Sequence, residues 1–123
     1  MLNIQIYCLK KNFDVQKAER FFKERRIPYQ LVDMKKHAPG VKELTLFARA
    51  AGGADRLLDK GSERVRSHPA CYTPVAEDIL AYIAEDPSLM ITPVVRNGRL
   101  ATVGADENAW RQWVLQDQDK LGK

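Results

Sequence analysis

The sequence predicts an α/β fold with a four-stranded mixed β-sheet, because it opens with a βαβ unit and carries a hairpin near its end. An apolar run over Met1–Tyr7 precedes a one-sided helical pattern over Phe13–Arg26, and Ile27–Asp33 has the composition of a second strand. Strand, helix and strand within about thirty residues make a βαβ unit. Further along, Asn97-Gly98 separates two β-like runs, and this dipeptide predicts a tight hairpin turn.

The other predicted elements follow from the spacing of apolar residues and from glycine and proline. They are helices over Val41–Ala51, Thr73–Glu85 and Asp106–Gln118 and hairpin strands over Met90–Val95 and Leu100–Val103. Gly52-Gly53 is typical of a helix C-terminus, and Pro74 is expected just inside the start of its helix. We expect the first two of these helices to form a separate small bundle at one end of the sheet.

Composition favours one globular domain. The chain has 123 residues, of which 45% are hydrophobic and 29% charged, and these are ordinary globular values. No apolar run approaches the roughly eighteen residues of a membrane span, and the N-terminus lacks a secretory signal pattern. A cytoplasmic location is therefore expected.

Charge and cysteine content exclude several classes of site. The net charge is +4, but the basic residues are interspersed with acids and no recognition motif accompanies them, so nucleic-acid binding is not predicted. Cys8 and Cys71 fit neither a Cys-x-x-Cys motif nor a zinc site, and His37 and His68 add no ligand pattern. Neither a disulfide framework nor a metal site is predicted.

Five segments carry a resemblance to a known family. They are Tyr7–Arg20, Arg26–Tyr29, Leu57–Gly61, Glu85–Val95 and Ala101–Gly104 with Trp110. Together they resemble the ArsC/Spx family of arsenate reductase-like and glutaredoxin-like proteins, which have a thioredoxin fold. The resemblance spans nearly the whole chain, 1–123, as a single domain. It implies a thioredoxin-like part at 1–37 and 88–120 and a helical insertion at 38–87.

The resemblance places the family's nucleophilic cysteine on Asn12, between the first strand and the first helix. An amide has no ionisable proton and is a poor nucleophile, so thiol chemistry is lost at this position. The family's oxyanion-binding arginine, directly before the proline of the third strand, falls on Thr92. Arg64 or Arg66 could stand for a second, mid-chain arginine.

Several candidate residues have more than one interpretation. Asn12 is a good N-cap residue, and it could instead bind an anion or peptide beside Lys10 and Lys11 in the same turn. Cys8 alternates with the apolar residues of its strand and is expected in the core, although it could be a displaced nucleophile. The peptide before Pro93 is predicted to be cis, since proline inside a β-like run removes a ladder hydrogen bond.

Three function classes remain open. The first is a family member that has lost thiol reductase activity and serves as a binding or regulatory module; by family analogy its partner would be RNA polymerase. The second is an arsenate reductase-like or glutathione-dependent oxidoreductase that uses Cys8. The third is a small anion-binding protein that uses Lys10, Lys11 and the start of the first helix. No cofactor is predicted, except glutathione in the second class.

Overall fold

The computed structural model describes residues 2–121, with side chains as far as residue 118. Met1, where the first predicted strand begins, lies outside the described residues. The strands are β1 (Ile4–Cys8), β2 (Tyr29–Asp33), β3 (Val94–Asn97) and β4 (Leu100–Val103); the α-helices are α1 (Phe13–Glu24), α2 (Val41–Ala51), α3 (Glu63–Arg66), α4 (Ala76–Glu85) and α5 (Glu107–Leu121). Short 3-10 turns lie between α2 and β3. None of the helices in this part of the chain is long and apolar enough to cross a membrane.

The four strands form one mixed sheet in the order β2-β1-β3-β4. β1 pairs with β2 in parallel, and this pairing requires the crossover that α1 supplies. β3 is antiparallel to both β1 and β4. The predicted α/β class, with a four-stranded mixed sheet and flanking helices, is confirmed.

The sheet separates two apolar cores. Ile4 and Ile6 of β1 lie in one core with α1 and α5, around the fully buried Trp110. Tyr7 lies in the other core, which also contains Leu44 of α2. The alternation of side chains along β1 explains this division, because neighbouring residues of a strand point to opposite faces.

The prediction of a separate helical bundle is wrong. α2 packs against both β4 and α4, and Phe47 of α2 and Ile83 of α4 belong to the same core cluster as Val94 of β3. The apolar stripe of α2 needs a large surface to cover it, and the sheet face supplies one. The middle helices therefore form one layer of the domain.

The end of α1 and the start of α4 differ from the predictions. α1 ends at Glu24, two residues early, because Arg26 adopts a left-handed backbone with φ of 55°. Ile27 N–H then bonds back to Phe22 O at 2.9 Å, which closes the helix end. α4 begins at Ala76, so Pro74 lies before the helix and not inside it.

The hairpin is confirmed, but its parts are shifted. Asn97 is the last residue of β3 and pairs with Leu100, so the two turn residues are Gly98-Arg99. Gly98 has φ of 61°, a conformation in which glycine is favoured at the first turn position. β3 begins only at Val94, and Met90 makes a single bridge to Leu58 instead.

Candidate functional site

Asn12 is the N-cap of α1. Its side-chain oxygen accepts a hydrogen bond from Val15 N–H at 2.8 Å, and its backbone carbonyl accepts one from Gln16 N–H at 3.1 Å. The capping interpretation of Asn12 is therefore confirmed. Its side chain fills part of the space at the helix start where an anion would otherwise meet free N–H groups.

The side-chain amide of Asn12 also joins α1 to the segment before β3. Nδ2 donates to the hydroxyl of Thr92 at 3.0 Å and lies 3.3 Å from the carbonyl oxygen of Thr92. The Thr92–Pro93 peptide is cis, as predicted. The two positions at which the sequence lacks the expected cysteine and arginine are therefore in direct contact.

Backbone pairing holds the segment before Pro93 in place. The mid-chain turn lies beside it, since Asp59 N–H donates to Leu89 O at 2.9 Å and Ile91 N–H donates to Leu57 O at 2.8 Å. These residues come from two segments that carry the family resemblance, Leu57–Gly61 and Glu85–Val95. Thr92 is thus positioned from the side of the middle helices as well as from α1.

The two lysines of the turn are arranged differently. Lys11 Nζ lies 3.3 Å from Glu19 Oε2, and Tyr29 OH donates to Glu19 Oε1 at 3.0 Å. Burial, together with this bond to Glu19, raises the pKa of Tyr29 to about 12. Lys10 is exposed, whereas Glu19 is buried. Glu19, which was not predicted as a site residue, therefore forms an ion pair with Lys11.

Arg64 and Arg66, the candidates for the mid-chain arginine, bond to residues of loops near α3. Arg64 bonds to the carboxylate of Asp86, with N and O 3.4 Å apart, and to the hydroxyl of Ser88. Hydrogen bonding from Ser88, and then the charge of Arg64, lowers the pKa of Asp86 against a partial opposing effect of burial. Arg66 donates to Lys60 O at 2.7 Å. These contacts link neighbouring loops and include neither Asn12 nor Thr92.

Cys8 is buried at the end of β1. Burial raises the pKa of its thiol, and the nearby charges of Asp33 and Glu19 raise it further, against a smaller lowering by Lys11. Cys71 is partly buried and its thiol lies 3.0 Å from Val65 O. Across the described residues, no group of three His, Cys, Asp or Glu side chains is arranged to hold a metal ion.

A second polar cluster was missed because its members lie on three different elements. Tyr7 OH on β1 donates to Glu43 Oε2 on α2 at 2.7 Å, and Arg96 Nη1 on β3 lies 3.8 Å from the same oxygen. Glu43 also reaches back to Gly40 N–H at 3.4 Å. Gly40 has no side chain, so this bond is only the Glu43 half of a capping box. The start of α2 was predicted from its apolar spacing, whereas the contacts of Glu43 with the sheet had no signal in the sequence.

Replacing Asn12 with alanine is expected to lower the free energy of unfolding by about 1 kcal/mol, because the acceptor for Val15 N–H is lost. Asn12→Asp keeps the oxygen that accepts from Val15 N–H but loses the Nδ2 donor to Thr92, so its loss is expected to be smaller than that of Asn12→Ala. Urea denaturation of Asn12→Ala, Thr92→Val and the double variant would measure the coupling between the two side chains. Strictly additive losses would contradict a stabilising contact between them.

Solved structures of known proteins share this arrangement of sheet and helices. An ArsC family related protein from Bacteroides fragilis aligns with a TM-score of 0.75 at 20% identity, over 89% of this chain and 96% of its own. An arsenate reductase from Vibrio cholerae aligns with a TM-score of 0.72 at 19% identity, over 83% and 89% of the two chains.

The fold is that of the arsenate reductase-like (ArsC) proteins. An arsenate reductase (ArsC) related protein from Brucella melitensis also has this fold, with a TM-score of 0.66 at 20% identity over 91% of this chain and 94% of its own. No protein-family model matches the chain, and no curated protein sequence matches it significantly. The similarity of this chain to ArsC proteins therefore rests on the comparison of three-dimensional structures.

Proposed function

We propose that this chain is an ArsC/Spx-family protein that has lost thiol reductase activity and acts as a binding or regulatory module. The observation that carries the proposal is the double hydrogen bonding of the Asn12 side chain. One end of its amide group caps α1 and the other bonds to Thr92. An asparagine in this position supplies structure to the site but supplies no nucleophile.

The environment of Cys8 supports the same proposal. A thiol acts as a nucleophile only as the thiolate, and burial and two nearby carboxylates raise the pKa of Cys8. An oxidoreductase that uses Cys8 with glutathione would need the opposite environment. We keep that alternative only as an outcome of the test below.

Anion binding through Lys10 and Lys11 has less support than the proposed loss of thiol reductase activity within an otherwise intact fold. Lys11 is paired with Glu19, and Asp14 adds a negative charge to the first turn of α1. Arsenate or phosphate titrated into the protein is expected to give no saturable heat signal. Saturable binding that disappears in Lys10→Ala/Lys11→Ala would instead establish the anion-binding function.

The proposal is tested by the reactivity of the wild-type thiols. We expect no arsenate-dependent turnover with glutathione and glutaredoxin, and slow alkylation by iodoacetamide that rises only above the ordinary thiol pKa of about 8.5. Cys8→Ser and Cys71→Ser serve as matched variants that assign each thiol. Rapid alkylation near pH 6 that is abolished by Cys8→Ser alone would overturn the proposal and make Cys8 the nucleophile.

The binding half of the proposal needs a separate measurement. Resemblance to the Spx branch points to RNA polymerase as the partner. Co-sedimentation with purified RNA polymerase would test this directly, with Thr92→Arg as a variant that alters the surface beside Asn12. Absence of co-sedimentation would leave the thiol proposal standing and exclude this partner.

A further inference from the structure

A groove of about 800 Å³ runs between α2 and the edge strand β4. Its larger apolar lining residues are Val41 and Leu100, which are 58% and 49% exposed, and the partly buried Leu46. Exposed aliphatic side chains grouped in a groove are typical of a binding surface. The groove shares no lining residue with the site around Asn12, Thr92 and Pro93.

The charges around this groove have one sign. Lys42, Leu46 and Arg49 lie at positions i, i+4 and i+7 of α2 and so form one stripe, and Arg99 faces the groove from the hairpin turn. Among the described residues that line it, three are basic and none is acidic. Within residues 2–118, none of the three makes a salt bridge. An acidic ligand would supply the missing counter-charges.

The outer edge of β4 offers backbone hydrogen-bonding groups to the same groove. In an antiparallel pair, residues that bond to the partner strand alternate with residues whose N–H and C=O groups point away. The 2.8 Å bond from Gly104 N–H to Pro93 O, with the register of β3 and β4, fixes this alternation. It directs the backbone groups of Ala101 and Val103 outward, and in the described sheet β4 has no second neighbour.

We propose that this groove binds an extended acidic peptide segment of a partner protein, which adds to the sheet as a fifth strand beside β4. Main-chain bonds to Ala101 and Val103 would provide pairing. Alternate apolar side chains of the peptide that face α2 would contact Leu46 and Val41, and its carboxylates would meet the basic rim. Ala101 also lines an adjoining groove along β4, in which Asp55 and Asp106 lie together with Arg56 and Lys60. The rim that favours acidic side chains is therefore the part of the groove beside Arg49 and Arg99.

Other occupants fit the groove less well. A second copy of this chain would bring a net charge of +4 toward a basic rim, and like charges disfavour that contact. A nucleic acid would satisfy the rim, but the described lining residues include no aromatic side chain on which a base could stack. An acidic peptide with apolar side chains would both pair with the basic residues of the groove and cover its apolar lining residues.

The test uses the wild-type protein and a fluorescein-labelled nine-residue peptide of alternating glutamate and valine. We expect saturable binding by fluorescence anisotropy that weakens as salt is raised. Arg49→Ala/Arg99→Ala should weaken binding about fivefold, because two exposed charge pairs are lost. Lys35→Ala/Lys36→Ala, which removes the same charge near β2, should leave the affinity unchanged. Equal affinity of both double variants would overturn the proposal.

Amide hydrogen exchange with and without saturating peptide tests the strand pairing. We expect the amides of Ala101 and Val103 to exchange more slowly when peptide is bound, while the amide of Thr102 is unchanged. Ala101→Pro removes one outward donor and should reduce binding while the variant stays folded by circular dichroism. Unchanged exchange at both residues, a dimer in sedimentation without peptide, or equal binding of a lysine–valine peptide would each contradict the proposal. Because none of these measurements involves Asn12 or Cys8, their failure would leave the thiol proposal intact.

Discussion

Asn12→Cys is expected to create a thiol that reacts with iodoacetamide at pH 6 about tenfold faster than an ordinary exposed cysteine. Position 12 is exposed and lies at the start of α1, where free N–H groups and the helix dipole stabilise a thiolate. A pKa lowered from about 8.5 to about 6 would raise the thiolate fraction at pH 6 by roughly a hundredfold. The lower basicity of the sulfur would offset roughly tenfold of that gain.

A matched control separates the effect of the helix start from that of exposure. Lys36→Cys places a thiol in an exposed turn after β2, and it is expected to react with the ordinary pH dependence. Asn12→Cys/Cys8→Ser should react like Asn12→Cys, because Cys8 is buried. Full reductase turnover is not expected in either variant, since Thr92 stands where the resemblance requires an arginine. Equal pH profiles for Asn12→Cys and Lys36→Cys would contradict an activating helix start.

Trp110→Ala is expected to lower the free energy of unfolding by about 3–5 kcal/mol, which is a large share of the 5–15 kcal/mol typical of a small domain. Trp110 is fully buried between α5 and the sheet. Its ring centroid lies 5.4 Å from that of Phe21 and 5.7 Å from that of Phe22. Its indole N–H also donates to the buried hydroxyl of Thr102 at 2.9 Å. The substitution removes both the packing and the donor.

Urea denaturation followed by circular dichroism measures this loss. Leu115→Ala, on the same helix but with the side chain 52% exposed, should cost less than about 0.5 kcal/mol. Trp110→Phe retains an aromatic ring but leaves the Thr102 hydroxyl without its donor, and it should cost about 1–3 kcal/mol. A loss below about 1.5 kcal/mol for Trp110→Ala would show that this core is less closely packed than the structure indicates.

Local patterns predicted most of the elements and the role of one site residue. The bounds of α2 were predicted correctly because Gly52, with φ of 91°, ends a clear apolar stripe. Asn12 was predicted as an N-cap because this residue type satisfies N–H groups only two or three positions away. The burial of Cys8 was predicted in the same way, because Cys8 lies two residues after Ile6 and residues at this spacing share one face of a strand.

The boundaries that were predicted wrongly depended on backbone conformations that periodicity does not report. Arg26 is not a residue type that favours positive φ, so the early end of α1 had no sequence signal. The apolar run over Met90–Val95 has the composition of a buried strand, but its first residues pair with the mid-chain turn and only the last two join β3. A short apolar run does not reveal which partner will cover it.

The residues alone established the βαβ unit, the hairpin, the cap at Asn12 and the absence of a cysteine there. Tertiary structure decided that Asn12 bonds to Thr92, 80 positions away, that Glu19 binds Lys11 and Tyr29, and that α2 covers the sheet. The physical reason is the range of the forces involved. Periodicity and capping act between residues a few positions apart, whereas the partner of a polar side chain across the fold depends on how the whole chain is packed.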